Sequence, residues 1–508
     1  MASSSAGRAP TSPPDPFRIG ISEERRGKPR RSSFLAGISR GPIDCGVRMR
    51  LLSTLLVALL PVAAPAAGQP LSPAAAALTE YLRLDTTNPP GREAAAAAFL
   101  AARLAAAGIA SQRYVTADGR TSFAARLPAT VPPGERGGGI VLLHHLDVVP
   151  AGEGWTMPPF GGEVRDGALF GRGAIDSKGL GVAFLEAFLA AARLPDRRRE
   201  LLYLAVADEE TGGLAGTAFL WERHPELFAG VEAVLGEGGS NRVVLGRTFH
   251  FGVEVAQKRP LWLEVTARGR PGHASSVNPE SAAHRLIAGL ARLLEAPAVW
   301  RVTPVARRFF EQLAPHDPQA AKVAADLDRI AATGEPTAAI VPGMGGLFLD
   351  TLQVTQLAAA DRINVVAGEA RASIDIRLLP DSDQEAYLAA LRERLGGGFD
   401  IAVRLAAPPS PASPDHGPVW KAIAAALGGE RVPVVPVFIG GITDGRYFRQ
   451  RGIAAYGVSP FEIENLLLRG VHGPDERMPL AAFDAGVARS IDLVRRLVAP
   501  ADEITESR

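Results

Sequence analysis

The chain has 508 residues, 47% of them hydrophobic and 21% charged, which is a globular composition at a length that excludes a single ordinary core and predicts two or three domains. Its formal net charge of +1 hides an asymmetry: residues 1–50 hold ten of the 55 Lys and Arg but four of the 54 Asp and Glu, leaving 45 against 50 in the rest. A mildly acidic body argues against nucleic acid as a partner.

Residues 1–48, rich in Ser, Pro and Arg, are expected to be disordered. Met49-Arg50 is followed by an apolar run from Leu51 to Val62 and by small residues from Ala63 to Gly68, the three regions of a signal peptide, with Ala64 and Ala66 before the cut. The protein is therefore expected to be exported, periplasmic or secreted, after cleavage near Ala66, and Met49 is the more ordinary start. Retention of residues 51–64 as a membrane anchor is the lesser alternative, because the run is short of the roughly 20 residues a span needs and Pro61 interrupts it. The one cysteine, Cys45, lies in this leader, so the body has no disulfide and any metal must be held by His and carboxylate.

Beyond the leader (1–68), residues 69–258 alternate helix and strand. Helices are predicted from Leu71 and over Glu93 to Ala107, strands at Ser122 to Leu127 and Gly139 to Val149, a loop over Trp155 to Gly167, and a buried helix over Gly179 to Leu194. Three apolar runs end in chemistry: Gly139 to His145 runs into Leu146-Asp147, Leu201 to Ala207 into Asp208-Glu209-Glu210-Thr211-Gly212-Gly213, and Val231 to Leu235 into Gly236-Glu237-Gly238-Gly239. Alternating helices and strands point to a mostly parallel sheet, and ligands bind beyond the carboxyl ends of such strands, so His145 and these acids should converge on one crevice. His145 and Asp147 share a strand face, which would let the carboxylate orient the imidazole, whereas His144 points away. Asp176, just before the buried helix, is placed either to cap that helix or to bind a ligand within its Gly-rich approach.

Residues 259–406 change pattern. Strands at 261–267, 353–359, 370–378 and 400–405 with helices at 281–294 and 384–395 make a βαββαβ, ferredoxin-like unit, interrupted by a helical insertion near residues 300–350. Residues 407–508 return to the first pattern and end in a helix over Ala481 to Val498.

The motifs His145-Leu146-Asp147, Gly171 to Gly179 around Asp176, Asp208 to Gly213, Gly236-Glu237-Gly238 and Val471-His472-Gly473-Pro474-Asp475-Glu476-Arg477, in that order, resemble the M20 family of metallopeptidases and acylases. That family takes in enzymes of the carboxypeptidase G, aminoacylase and succinyl-diaminopimelate desuccinylase type; Gly440 to Arg449 and the insertion look most like its carboxypeptidase S branch. The resemblance spans nearly all of residues 71–500. It implies an α/β, zinc-exopeptidase-like catalytic domain with an inserted dimerisation lid, hence a homodimer. It also implies two zinc ions per subunit, replaceable by cobalt or manganese, with Asp176 bridging, His145 and Glu237 on one ion, and Glu210 and His472 on the other. Glu209 is implied as general base and Asp147 as partner of His145. Gly236 stands where some members carry an Asp, which leaves Glu237 to supply the oxygen.

In the lid, Gly269-Arg270-Pro271-Gly272-His273-Ala274-Ser275 is similar to the family turn whose histidine reaches the substrate carbonyl across the dimer. Asn364 and Arg377 stand where the family binds the substrate carboxylate, with pairing to Asp375 as the alternative for Arg377. Arg446 is a further candidate contact. Gln257-Lys258-Arg259 replaces the expected Lys-Gly step into the lid and leaves the hinge geometry open. His144, His224, His250, His284, His316 and His416 match no motif.

The expected activity is cleavage of an amide beside a free carboxylate, in a small peptide as a carboxypeptidase or dipeptidase, or alternatively in an N-acyl-amino acid. A non-catalytic peptide-binding protein is the remaining alternative, and Glu209 speaks against it, since a pure binding site has no use for a base.

Overall fold

Four largely buried strands set the frame: Leu201–Val206, Gly139–His145, Val231–Gly236 and Ala454–Gly457 lie side by side, all parallel. This is a computed structural model, and it describes residues 70–341 and 343–499. The leader, the signal-peptide reading and Cys45 lie outside the described residues. No described helix is long and apolar enough to cross a membrane.

The parallel block is the middle of a nine-stranded mixed sheet. Thr121–Leu127 and Ser111–Val115 extend it antiparallel at one edge, Arg247–Gln257 and Val434–Ile439 extend the other, and the short strand Arg242–Val244 pairs with Arg247–Gln257. Helices Lys178–Ala192, Pro73–Leu82, Glu93–Ala106 and Leu480–Val498 pack into its largest core cluster with Phe184, Phe188 and Tyr203 fully buried. Parallel strands covered on both faces read as continuous apolar runs, which is why the first three were visible in the sequence. Arg247–Gln257, an eleven-residue strand interleaved with Gly, Glu and Gln, was not read as one. The hairpin Glu163–Arg165 and Ala168–Phe170 likewise occupies part of the stretch expected to be loop.

The second sheet is antiparallel, in the order Thr351–Ala358, Glu369–Leu378, Arg259–Arg268, Phe399–Ala406. With helices Ala282–Glu295 and Gln384–Leu395 it encloses a separate core built on Leu263, Val265, Ile374 and Leu391. The βαββαβ succession is therefore present, with the helices on one face.

The insertion behaves differently from its place in the chain. Its helices Pro304–Leu313 and Pro318–Thr333 form a cluster with Val435 and Val437 of the large sheet, so they cover the edge strand of the first unit rather than extend the lid. The step between sheets is anchored on both sides. Gln257 accepts hydrogen bonds from the backbone of Thr443 and from Arg449, both at 3.0 Å, Lys258 donates to the Leu349 carbonyl at 2.7 Å, and Arg259 donates to the Ser382 carbonyl.

Candidate metal centre

Because Gly139–His145 lies between Leu201–Val206 and Val231–Gly236 and all three are parallel, their carboxyl ends share one edge. His145 closes the first strand, Glu209 and Glu210 sit in the single turn Glu209–Thr211 after the second, and Glu237 follows the third. Asp208 reverses the chain into that turn with a left-handed backbone (φ 69°), a conformation Asp tolerates better than most residues. Its carboxylate accepts from Arg120 at 2.9 Å and from the Ala215 backbone at 2.8 Å.

The orientation of His145 departs from expectation. Nδ1 lies 2.8 Å from the backbone carbonyl of Asp147, whereas the Asp147 carboxylate is 3.8 Å away. That carboxylate, fully buried, instead accepts the Asn88 amide at 2.8 Å and the backbone N–H groups of Glu209 and Glu210, each at 3.2 Å. Asp147 thus fixes the turn carrying both acids, while its own carbonyl fixes the imidazole and leaves Nε2 facing the crevice. Burial pushes its carboxyl up to about 6.

Asp176 is not a helix cap. Ser177 takes that position, and the Asp176 carboxylate turns to two histidines, with Oδ1 2.9 Å from His145 Nε2 and Oδ2 3.1 Å from His472 Nε2. Glu237 lies 3.1 Å from His145, and Glu210 lies 3.2 Å from His472. Two donor groups result, His145, Asp176 and Glu237 in one and Asp176, Glu210 and His472 in the other, each with ligand atoms within 4.8 Å of one another and with Asp176 common to both.

The donor set fits divalent cations on its own chemistry. Burial opposes charge on His145, yet Glu237 and Asp176 hold it well above its ordinary value; hydrogen bonds to Asp176 and Glu210 lift His472 to about 10. These protons supply the positive charge that three converging carboxylates demand, and two cations would supply it instead. Burial lifts Glu237 to about 7, while hydrogen bonds from the two histidines overcome burial and hold Asp176 low. Burial, then Glu237, raises the proton affinity of Glu209, whose Oε1 is buried without a hydrogen-bond partner.

The other candidates lie elsewhere. His273 and Asn364 meet at the exposed tip of the lid, where Gly272–His273 pairs with Val365–Val366 and the Ala274 N–H donates to the Asn364 carbonyl. His273 Nδ1 accepts the Ser275 N–H at 3.2 Å, which leaves Nε2 to donate. Arg377 pairs bidentately with Asp375 at 2.8 and 3.0 Å, the structural alternative. Arg446 departs from expectation: buried and outside the crevice lining, it donates to the Gly212 carbonyl at 2.6 Å and the Thr443 carbonyl at 2.9 Å, bracing the base turn.

Sequence reasoning missed Asn88 and the buried pair of Arg172 with Glu476 (2.7 Å). Both members of that pair stood inside quoted motifs, and a charge embedded among glycines and apolar residues was the available signal. His144 is a core residue beside Tyr81 and Tyr203, and burial lowers it to about 3.

A parallel-sheet crevice with paired His and carboxylate donor groups defines a metallohydrolase. The chain belongs to peptidase family M20/M25/M40, whose model matches residues 141–496. It is 28% identical over 438 residues to aminoacylase-1B of Rattus norvegicus, covering 84% of this chain and 95% of that one. It is 30% identical over 408 residues to succinyl-diaminopimelate desuccinylase of Methylorubrum populi, covering 77% and 90%. The fold is shared with an M20 family metallo-carboxypeptidase from Sulfolobus solfataricus at a TM-score of 0.63 and 17% identity, covering 84% of this chain and 99% of that one. The protein is thus a metal-dependent hydrolase of amide bonds.

Proposed function

We propose that the protein is an exported, homodimeric, two-zinc hydrolase that cleaves the amide between an acyl group and an amino acid with a free carboxylate. The observation that carries this is Asp176, shared between two donor groups with Glu209 beside them. Export rests on the leader sequence alone. Among the described residues lining the crevice, every carboxylate is a donor or is Glu209, so the ammonium of a free peptide N-terminus has no acid of its own. That favours an N-acyl-amino acid over the dipeptide put first on sequence grounds, and the aminoacylase relative agrees with it.

Bound to these donor groups, a pair of divalent ions would supply Lewis acidity and offset charge developing on the substrate. Asp147 holds the Glu209 turn at both backbone N–H groups, so the base is placed before substrate arrives. Glu209 takes the proton of the attacking water and returns it to the leaving nitrogen. His273, donating from Nε2, stabilises the carbonyl oxygen from the neighbouring subunit.

The test is hydrolysis of matched dipeptides and N-acetyl-amino acids by metal-replete protein, with elemental analysis of the wild type and Asp176→Ala. N-acetyl-amino acids should be cleaved, and the variant should lose metal together with activity. Cleavage of dipeptides alone would overturn the acyl assignment.

A further inference from the structure

The crevice beside the donor groups encloses about 440 Å³, within the range of small-molecule sites. All of its lining comes from the large-sheet unit, and among the described residues lining it the charged ones are the metal donors and Glu209. The rest of the wall is mainly aliphatic and comes from separate segments that meet only in the fold. Ile175 stands beside Asp176, Ile439 ends an edge strand and Ile442 follows it, and Leu468 and Val471 lead into His472. These five are half-buried, and Phe461 and Ile463 form a buried floor beneath them. Of the neutral polar side chains, Asn241 donates to the Ser459 and Phe461 carbonyls at 2.9 and 3.1 Å and keeps Oδ1 buried without a hydrogen-bond partner, and Asn465 accepts the Val243 N–H at 2.7 Å.

Such a wall sorts the two halves of an N-acyl-amino acid. A carboxylate placed against the aliphatic part of this wall, away from the donor groups, would be desolvated without a charge partner, and that costs several kcal/mol. At the tip of the lid, by contrast, Arg270 and Arg362 are exposed near His273 and Asn364. The carboxylate half therefore belongs toward the lid and the acyl half belongs in the crevice. We propose that the site selects substrates with extended apolar acyl chains, which lie against Ile442 and Leu468, over acetyl or charged acyl groups. This rests on the N-acyl-amino-acid reading above and deepens it.

The experiment measures kcat/KM of metal-replete protein on N-acetyl, N-butyryl, N-hexanoyl, N-octanoyl and N-succinyl derivatives of one amino acid, and on one acyl group joined to several amino acids. Burial of each methylene against an apolar wall should raise kcat/KM on the order of threefold until the crevice is full. N-succinyl substrate should fall well below N-butyryl. Ile442→Ser and Leu468→Ser, both at half-buried positions, should flatten the chain-length series by lowering kcat/KM for N-octanoyl substrate several-fold more than for N-acetyl. A series flat from acetyl upward, with N-acetyl substrate cleaved, would overturn the acyl site and leave the N-acyl reading standing. Dependence on the amino-acid side chain instead, or a slope unchanged in both variants, would place the acyl chain elsewhere and also overturn it. Cleavage of dipeptides alone would remove both readings.

Discussion

Glu476 accepts the backbone N–H of Asp176 at 3.1 Å across 300 residues of chain. The same carboxylate accepts from the backbones of Ile175 at 2.8 Å and Gly173 at 2.9 Å and pairs with Arg172 at 2.7 Å. His472 lies four residues before it, so one buried acid ties Asp176, the donor common to both groups, to the histidine of the last motif. The metal centre closes only when the far end of the chain has docked.

Removal of that tie should cost stability and metal together. Glu476→Ala leaves the Arg172 guanidinium buried without its charge partner, a loss on the order of 3–5 kcal/mol, and Glu476→Gln should lose less because one acceptor oxygen is kept. Urea unfolding and elemental analysis of the purified variants measure both. Wild-type stability in Glu476→Ala would show that the loop stands without the clamp.

Glu209→Gln keeps the shape of the base and removes its capacity to take a proton. Turnover should fall about 10² to 10⁴-fold while metal content stays at the wild-type level, because Glu209 belongs to neither donor group. A kcat near that of the wild type would remove Glu209 from the proton-transfer role.

The site was legible where chemistry interrupts an apolar run. His145, Glu209, Glu210 and Glu237 stand at strand ends, and a buried parallel strand has a strong sequence signature. What the chain could not reveal was which atom of a residue does the work. Alternation put Asp147 beside His145, but the backbone carbonyl rather than the carboxylate meets the imidazole, since the carboxylate is drawn to two backbone donors in a turn, 62 and 63 residues away. Arg446 was a candidate substrate contact because its partners are carbonyls of Gly212 and Thr443, and backbone acceptors leave no trace in residue identity. The insertion was grouped with the lid by position, although its apolar helix faces match the exposed edge of the other sheet.

A histidine remote from the centre should make stability depend on pH. His250 is buried in the strand Arg247–Gln257 against Phe309; burial, then Arg242, lowers it to about 4 from an ordinary 6.5. The unfolded chain takes up a proton as pH falls through 6.5, while the folded chain does so only near 4. Stability is therefore full above about pH 6.5 and declines toward pH 4, by at most about 1.4 kcal/mol per unit from this group. In denaturant unfolding at about pH 6.5 and about pH 4.5, the wild type should lose on the order of 2 kcal/mol more than His250→Gln. Equal losses would mean that His250 is protonated in the fold.

The last prediction concerns the lid. The side-chain hydrogen bonds of His273 are made to Ser275, and among the described residues none joins it to a metal donor or to Glu209. In the homodimer proposed above, a second copy of the chain would bring His273 to the crevice. If His273 serves the crevice of its partner, Glu209→Ala and His273→Ala should each be inactive alone and recover activity when their subunits exchange, because one site of a mixed dimer inherits both defects and the other inherits neither. Random exchange of equal amounts makes about half the dimers mixed, each with one intact site of two, so recovery should approach roughly a quarter of wild-type turnover. Absence of recovery, with exchange verified by native mass spectrometry, would assign His273 to its own subunit or to no catalytic role.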